Sequence, residues 1–245
     1  MKIWPCLLCC AIGAALLLAA PNALADAEAG THQTDNAWAA KLLSQVREKY
    51  SKMSSFSAKL DCAADIAGVD PVRMNGEFSI AQGKWSVCLR RSAVESAAEP
   101  LMLLNVCNGA KLWHFDAAHK CIVQTEAAQV PASSAGAGFF PALEQYEPES
   151  LSILSRNDNS ATLKIKPKSS SKPFFAFSSF DIDLKSMLIS RMAFMDGAGH
   201  ELLSIRFDSI EFDKPIPDSR FEFNGIDNLP VCTLKDIEAK PEDKK

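Results

Sequence analysis

The sequence has no Gly-Lys-Ser/Thr phosphate loop and no Gly-x-Ser-x-Gly turn. Those absences remove the P-loop nucleotide-binding layout and the nucleophile elbow of the α/β-hydrolases. The Gly-Ala-Gly-His stretch at 197–200 lacks the third glycine of a dinucleotide fingerprint, and it precedes a strand pattern instead of a helix. Basic residues are outnumbered, with 26 Lys and Arg against 30 Asp and Glu, and they form no patch, so nothing resembles a nucleic-acid footprint. Beyond the first 25 residues no apolar run reaches the length of a bilayer crossing. There is also no internal repeat.

What is present begins with an export pattern. Lys2 is followed by the apolar run Cys6–Ala20 and the small-x-small site Ala23-Leu24-Ala25, which together read as a cleavable signal peptide over residues 1–25. Cys9 and Cys10 sit near the start of the apolar run, the wrong end for a lipoprotein-type signal. The chain should therefore be exported. Cleavage leaves five of the eight Cys: Cys62, Cys88, Cys107, Cys121 and Cys232. In an oxidising compartment they allow up to two bridges and one free thiol. The alternative is a set of buried cysteines acting as small apolar residues.

Residues 26–36 are small and polar and read as a flexible N-terminus. From Asn36, a fair N-cap, the residues Trp38, Leu42, Val46 and Tyr50 recur at helical spacing. The period then changes to two. Phe56, Ala58, Leu60 and Cys62 alternate with polar residues, as do Met74, Gly76, Phe78 and Ile80, and then Trp85, Val87 and Leu89. Runs at LMLLNV, KLWHF and CIVQTE follow. After the loop VPASSAGAGFFPALEQY, which could hold a short helix at Pro141, strands resume as LSILSR, ATLKIKP, SFDIDLK, LISRMAFMD, ELLSIRFDSIEF and SRFEFNGI. Close spacing and intervening turns imply antiparallel hairpins. The expected fold is mainly β with few helices (α+β): an incomplete antiparallel β-barrel of about 11 strands. A sheet with one apolar face needs a cover, and so few helices make only a partial lid over an apolar cavity suited to a greasy ligand. The folded domain should span 37–233, with a charged tail at 234–245.

The stretch Asn105–Cys121, NVCNGAKLWHFDAAHKC, concentrates polar chemistry. Asn108-Gly109 is a strong hairpin signal because both residues tolerate positive φ, and Asp116–His119 reads as a second turn. A zinc reading would recruit His114, His119 and Cys121 with Cys107, a spacing that matches no familiar set. No Cys–His nucleophile signature supports catalysis. Trp113 and Phe115 fall on one strand face, Leu112 and His114 on the other. Asp181 and Asp183 share a face opposite Phe180, Ile182 and Leu184, as on a solvated outer surface. No metal or cofactor is called for.

The order of these motifs resembles the LolA family of periplasmic outer-membrane lipoprotein carriers. LLSQVREKYSKMSSFSAKL is similar to the family's first helix entering a strand, GEFSIAQGKW to its Gly-led strand and aromatic partner, and VCNGAKLWHFDAAHKCIVQ to its Asp-Gly-Lys-x-Leu-Trp hairpin. FDIDLKSMLISRMAFMDGAGHELLSIRF resembles its late meander, and RFEFNGIDNLPV its closing segment. The likeness runs from about residue 38 to 232. It implies a half-barrel with a helical lid that carries lipoprotein acyl chains from an inner-membrane release complex to an outer-membrane acceptor lipoprotein, as a monomer and without covalent chemistry. Cavity positions would then be Phe56, Leu60, Phe78, Ile80, Trp85, Leu89, Trp113, Phe115, Phe180, Ile182, Met192 and Phe194. Phe139, Phe140 and Leu143 would belong to the lid. The family's Arg-Pro after the second strand, whose Arg helps hold the lid, is replaced at Ala81–Lys84, leaving Lys84 or Arg90 as substitutes, of which the compact ammonium of Lys84 does not reproduce a forked guanidinium. A lipid-binding or lipoprotein-sensing module without transfer is the alternative on the same scaffold.

Overall fold

The computed structural model describes residues 32–66, 70–92, 100–129, 146, 150–168, 175–233 and 236–237. Helix α1 (His32–Ser51) precedes the strands β1 (Ser55–Ala64), β2 (Val72–Ala81), β3 (Lys84–Arg91), β4 (Leu101–Cys107), β5 (Lys111–Asp116) and β6 (Cys121–Glu126). They are followed by β7 (Ser152–Arg156), β8 (Ser160–Ile165), β9 (Phe177–Asp183), β10 (Leu188–Met195), β11 (Glu201–Phe212) and β12 (Val231–Thr233). All twelve strands join one sheet in the order β12-β6-β5-β4-β3-β2-β1-β11-β10-β9-β8-β7. Every pairing is antiparallel except that of β12 on β6. With β12 and β7 as its edges the sheet stays open, the incomplete barrel that the alternating pattern predicts.

Three details differ from the sequence reading. The helix starts at His32, so Asn36 lies inside it and does not cap it. The run SRFEFNGI is not a strand: it holds a 3-10 turn (Asp218–Phe221) and then an irregular path toward β12. The twelfth strand comes instead from Val231–Thr233. The segment carrying Phe139, Phe140, Pro141 and Leu143 lies outside the described residues.

Curling so long a sheet requires local breaks in register. Bulges occur between Ser57 and Lys59 of β1, where Ser209 and Ile210 of β11 stand against the single Ala58, and at Ile189/Arg191, Leu89/Arg90, Phe194/Met195 and Ile153/Ser155. Gly76 permits the tightest approach: a Cβ there would fall 1.8 Å from the carbonyl oxygen of Cys88 on β3. The hairpin turns use one device repeatedly, in which a side-chain oxygen accepts from two backbone N–H groups ahead of it. Asn108 does so to Ala110 and Lys111, Asp116 to Ala118 and His119, Asn157 to Asn159 and Ser160, and Asp196 to Ala198 and His200.

The same register disposes of the cysteines. Cys62 faces Met74 and Ile205, Cys88 faces Glu77 and Leu104, Cys107 faces Trp85 and Leu112, Cys121 faces Asp116, and Cys232 faces Val123. No disulfide joins any two of the five. Cys62, Cys107 and Cys121 are buried, the alternative the sequence left open.

Candidate functional site

The inward face of the sheet is the one on which α1 packs. From the helix it receives Ala39, Leu42, Leu43, Val46 and Tyr50, and from the sheet the alternating side chains of β1–β5 and β8–β11. Period-two alternation of apolar residues sends one set of side chains inward: Phe56, Ala58, Leu60 and Cys62 from β1, Trp85, Val87 and Leu89 from β3, Phe180 and Ile182 from β9. Phe56 is the centre of an aromatic group. Its ring centroid lies 6.1 Å from Phe78, 6.0 Å from Phe207 and 6.3 Å from Tyr50.

Helix α1 is held at both ends. The Tyr50 hydroxyl accepts a hydrogen bond from the Ile189 backbone N–H at 3.0 Å, at the point where β10 bulges. Its ring meets Phe212 edge-on at 5.9 Å, and burial pushes its phenol up to about 12. Toward the other end the Arg156 guanidinium lies 3.8 Å over the Trp38 ring, a cation–π contact. Antiparallel strands alternate in direction, so Phe212 ending β11, Ile189 near the start of β10 and Arg156 ending β7 share one rim. The helix therefore lies across the strands along that rim.

Of the sequence-nominated pocket residues, Phe56, Leu60, Phe78, Trp85, Leu89, Phe180, Ile182, Met192 and Phe194 are buried together on this face, and Ile80 packs at its margin. Trp113 and Phe115 do not join them. They lie on the outer face with Cys88, Leu101, Leu104, Val106 and Ile122, beneath Phe223, Ile226 and Leu229. The physical reason is that the outer face is also covered here. The segment after β11 crosses it, stacks Phe223 on Trp113 at 6.1 Å, and adds β12 to the sheet. An aromatic residue thus finds burial on either side. Leu112 turns inward instead, and His114, two residues on, shares its side. Burial holds the His114 imidazole below its usual value, which leaves it neutral near pH 7.

Lys84 and Arg90 also face outward. Arg90 makes a bidentate pair with Asp227, both contacts at 2.9 Å, and Lys84 Nζ lies 2.8 Å from Asp218. With Arg220 on Glu77 at 2.7 Å they fasten the C-terminal segment. The contact that ties α1 to an arginine is Trp38 with Arg156, which no motif indicated. Inward residues that the sequence reading passed over include Leu163 and Ile165 of β8 and Phe207 of β11. Alternation in ATLKI carried the first two, while the bulge at Ser209 interrupts the alternation beyond Phe207.

The polar stretch around His119 resolves into turn structure. His119 Nδ1 lies 2.9 Å from Asp116 Oδ2, and the pairing with His119, together with backbone hydrogen bonds, holds the Asp116 carboxyl below the usual carboxylate range against its partial burial. Among the described residues no three His, Cys, Asp or Glu side chains gather as a metal site. Asp181 accepts from Thr162 Oγ1 at 2.8 Å and lies 3.8 Å from Arg191. Arg191 also pairs with Glu201.

No family model matches the chain, and no curated protein matches it. Among solved structures, it is similar to an uncharacterized conserved protein from Thermus thermophilus, at 10% identity and a TM-score of 0.48, over 79% of this chain and 97% of that one. It is similar to a DUF1329 family protein from Desulfovibrio piger at 7% identity and a TM-score of 0.42, over 77% and 97% of the two chains. A LolA superfamily protein from Nitrosomonas europaea is similar at 11% identity and a TM-score of 0.36, over 76% and 98%.

Proposed function

We propose that the protein is a periplasmic, non-enzymatic carrier. It binds the acyl chains of lipoproteins against the inward face and moves them from an inner-membrane release complex to an outer-membrane acceptor. One observation carries this reading: an open sheet presents an inward apolar face drawn from nine strands, crossed by a helix that is tied to it through Tyr50 and Trp38. A sixteen-carbon chain moved out of water is stabilised by about 12 kcal/mol at roughly 0.8 kcal/mol per methylene. A carrier has to shield that chain and still release it, so its cover has to be displaceable. Phe56, Leu60, Phe78, Trp85 and Leu89 supply one side of the proposed site, and Phe180, Ile182, Met192 and Phe194 the other. The test is uptake of a radiolabelled acylated lipoprotein from inner-membrane vesicles, followed by hand-over to outer-membrane vesicles. Failure to release any lipoprotein into the soluble fraction overturns the proposal. Periplasmic fractionation with an N-terminus at Asp26 checks the export step.

A second reading is a lipid-binding or lipoprotein-sensing module that holds its ligand without passing it on. It is favoured by one observation: Lys84 and Arg90 are engaged with Asp218 and Asp227 and are not turned toward α1. A stable lipid complex that no acceptor membrane discharges would select this reading.

A further inference from the structure

Three polar side chains interrupt the apolar inward face on β4, β5 and β6. Asn105 and His114 are direct cross-strand partners. Thr125 stands opposite Leu112, and Val123 opposite His114. Directly opposed residues share a face of the sheet. Cys107 and Leu112, in the same row as Thr125, belong to the inward core, and Asn105 and His114 lie two residues along from them. All three polar side chains therefore point inward. Opposed Cβ atoms stand about 5 Å apart and diagonal ones about 7–8 Å, so His114 is a near neighbour of both Asn105 and Thr125, and the three together span a head that carries more than one polar group. On their flank, Val87 faces Asn105 and Trp85 faces Cys107 across β3.

Their hydrogen bonding sets them apart. The Thr125 hydroxyl is buried without a partner. Neither the Asn105 amide nor the His114 ring is engaged by a hydrogen bond among the described residues. On the outer side of the same strands the polar atoms are matched, with Trp113 Nε1 donating to Gln124 Oε1 at 3.1 Å. Buried polar groups are ordinarily satisfied, and valine or leucine would serve a purely structural sheet better at these positions.

We propose that Asn105, His114 and Thr125 form a polar subsite for the carbonyl and hydroxyl groups at the head of an acylated ligand, whose chain runs along Trp85, Val87 and Leu89. This deepens the acyl-binding reading and rests on it. The amide N–H, the hydroxyl and a neutral imidazole N–H each donate to a carbonyl oxygen. None of the three brings a charge, so the subsite favours the ester or amide linkages of the head over a phosphate.

The test titrates the full chain, by its intrinsic tryptophan fluorescence, with a synthetic dipalmitoylglyceryl-cysteine peptide and with its dialkyl ether analogue, which lacks the ester carbonyls. The double variant Asn105→Leu/Thr125→Val is expected to bind the ester peptide roughly tenfold more weakly, the equivalent of one or two lost hydrogen bonds. Ether binding should change less than twofold, and the melting temperature without ligand should not fall. Equal weakening toward both probes, or a lowered melting temperature without ester-selective loss, assigns the residues a structural role and overturns the inference. Parent protein that binds neither probe sinks the acyl-binding reading as well, whereas parent protein that binds both with equal affinity sinks the subsite alone. A parallel titration with phosphatidylglycerol vesicles separates the sources. A matching loss there assigns the subsite to glycerol esters in general, and a loss confined to the peptide assigns it to a lipoprotein anchor.

Discussion

Replacing Tyr50 by Phe tests the attachment of α1 at a single atom. The ring stays, with its contacts to Phe56 and Phe212, but the hydroxyl that accepts the Ile189 N–H is lost. Ile189 is buried at a bulge of β10, where its N–H is directed to the Tyr50 hydroxyl. A buried donor left unsatisfied costs about 1–3 kcal/mol, and urea unfolding at pH 8 should show a loss of that size with an unchanged m-value. The phenol supplies a second signature. Its folded value of about 12 lies above its ordinary 10.0, because burial disfavours the phenolate. Above pH 10 the unfolded chain therefore releases a proton that the folded chain retains. The tyrosine's contribution is complete below pH 10 and is lost as the pH rises toward 12, by about 1.4 kcal/mol at pH 11. Buried Cys62, also pushed to about 12, titrates in the same window in both proteins and cancels in the difference. The gap between parent and Tyr50→Phe should be widest at pH 8 and should narrow above pH 10. Equal stability at pH 8 refutes the assigned hydrogen bond, and a gap that stays constant to pH 11 refutes the burial of the phenol.

Other positions give simpler expectations. Gly76→Ala places a methyl 1.8 Å from the Cys88 carbonyl, which the backbone has to yield to. Thermal unfolding should register a loss of at least about 2 kcal/mol, in the range for overpacking. Ser209, held at φ 52 in the β11 bulge, should gain about 0.5–1 kcal/mol as Ser209→Gly once the left-handed penalty is set against glycine's extra entropy, measured by urea midpoint. Arg90→Ala removes the bidentate hold on Asp227. The half-buried Cys88 thiol beneath that segment should then alkylate several-fold faster with iodoacetamide, while buried Cys62 stays protected. An unchanged Cys88 rate would mean that the apolar contacts of Phe223, Ile226 and Leu229 hold the segment without the ion pair.

Much of the architecture could be read from residue period alone. The change from helical spacing at Trp38–Tyr50 to alternation at Phe56 marks the junction of α1 and β1, and Asn108, Asp116, Asn157 and Asp196 mark the turns that their side chains close. The edges were less legible. Asn36 has the chemistry of an N-cap, yet the helix continues back to His32, since capping residues are tolerated inside a helix that buries Ala39, Leu42 and Val46 behind them. In SRFEFNGI the alternation is real, but Phe221 is buried and Phe223 packs against the outer face of the sheet without either entering its hydrogen-bond ladder. Periodicity reports which side chains are buried, not which backbone pairs.

The reversal at β5 has the same origin and the larger consequence. Alternation names a buried face only when the opposite face is wet. Over β3–β6 both faces are covered, one by the C-terminal segment, so the larger residues Trp113 and Phe115 could belong to either side. The register decides, because Leu112 is locked opposite Cys107 and Thr125. Once that row is inward, His114 and Asn105 have to be inward too, and a strand that looked like an aromatic lining with a polar back becomes a polar lining with an aromatic back. The sheet thereby acquires inward donors that its packing does not use. Exchanging Trp113 for Leu should then disturb the hold of Phe223 and leave ligand affinity near that of the parent, whereas exchanging His114 for Leu should act on the ligand. If the first variant loses binding and the second keeps it, the face assignment of β5 is wrong.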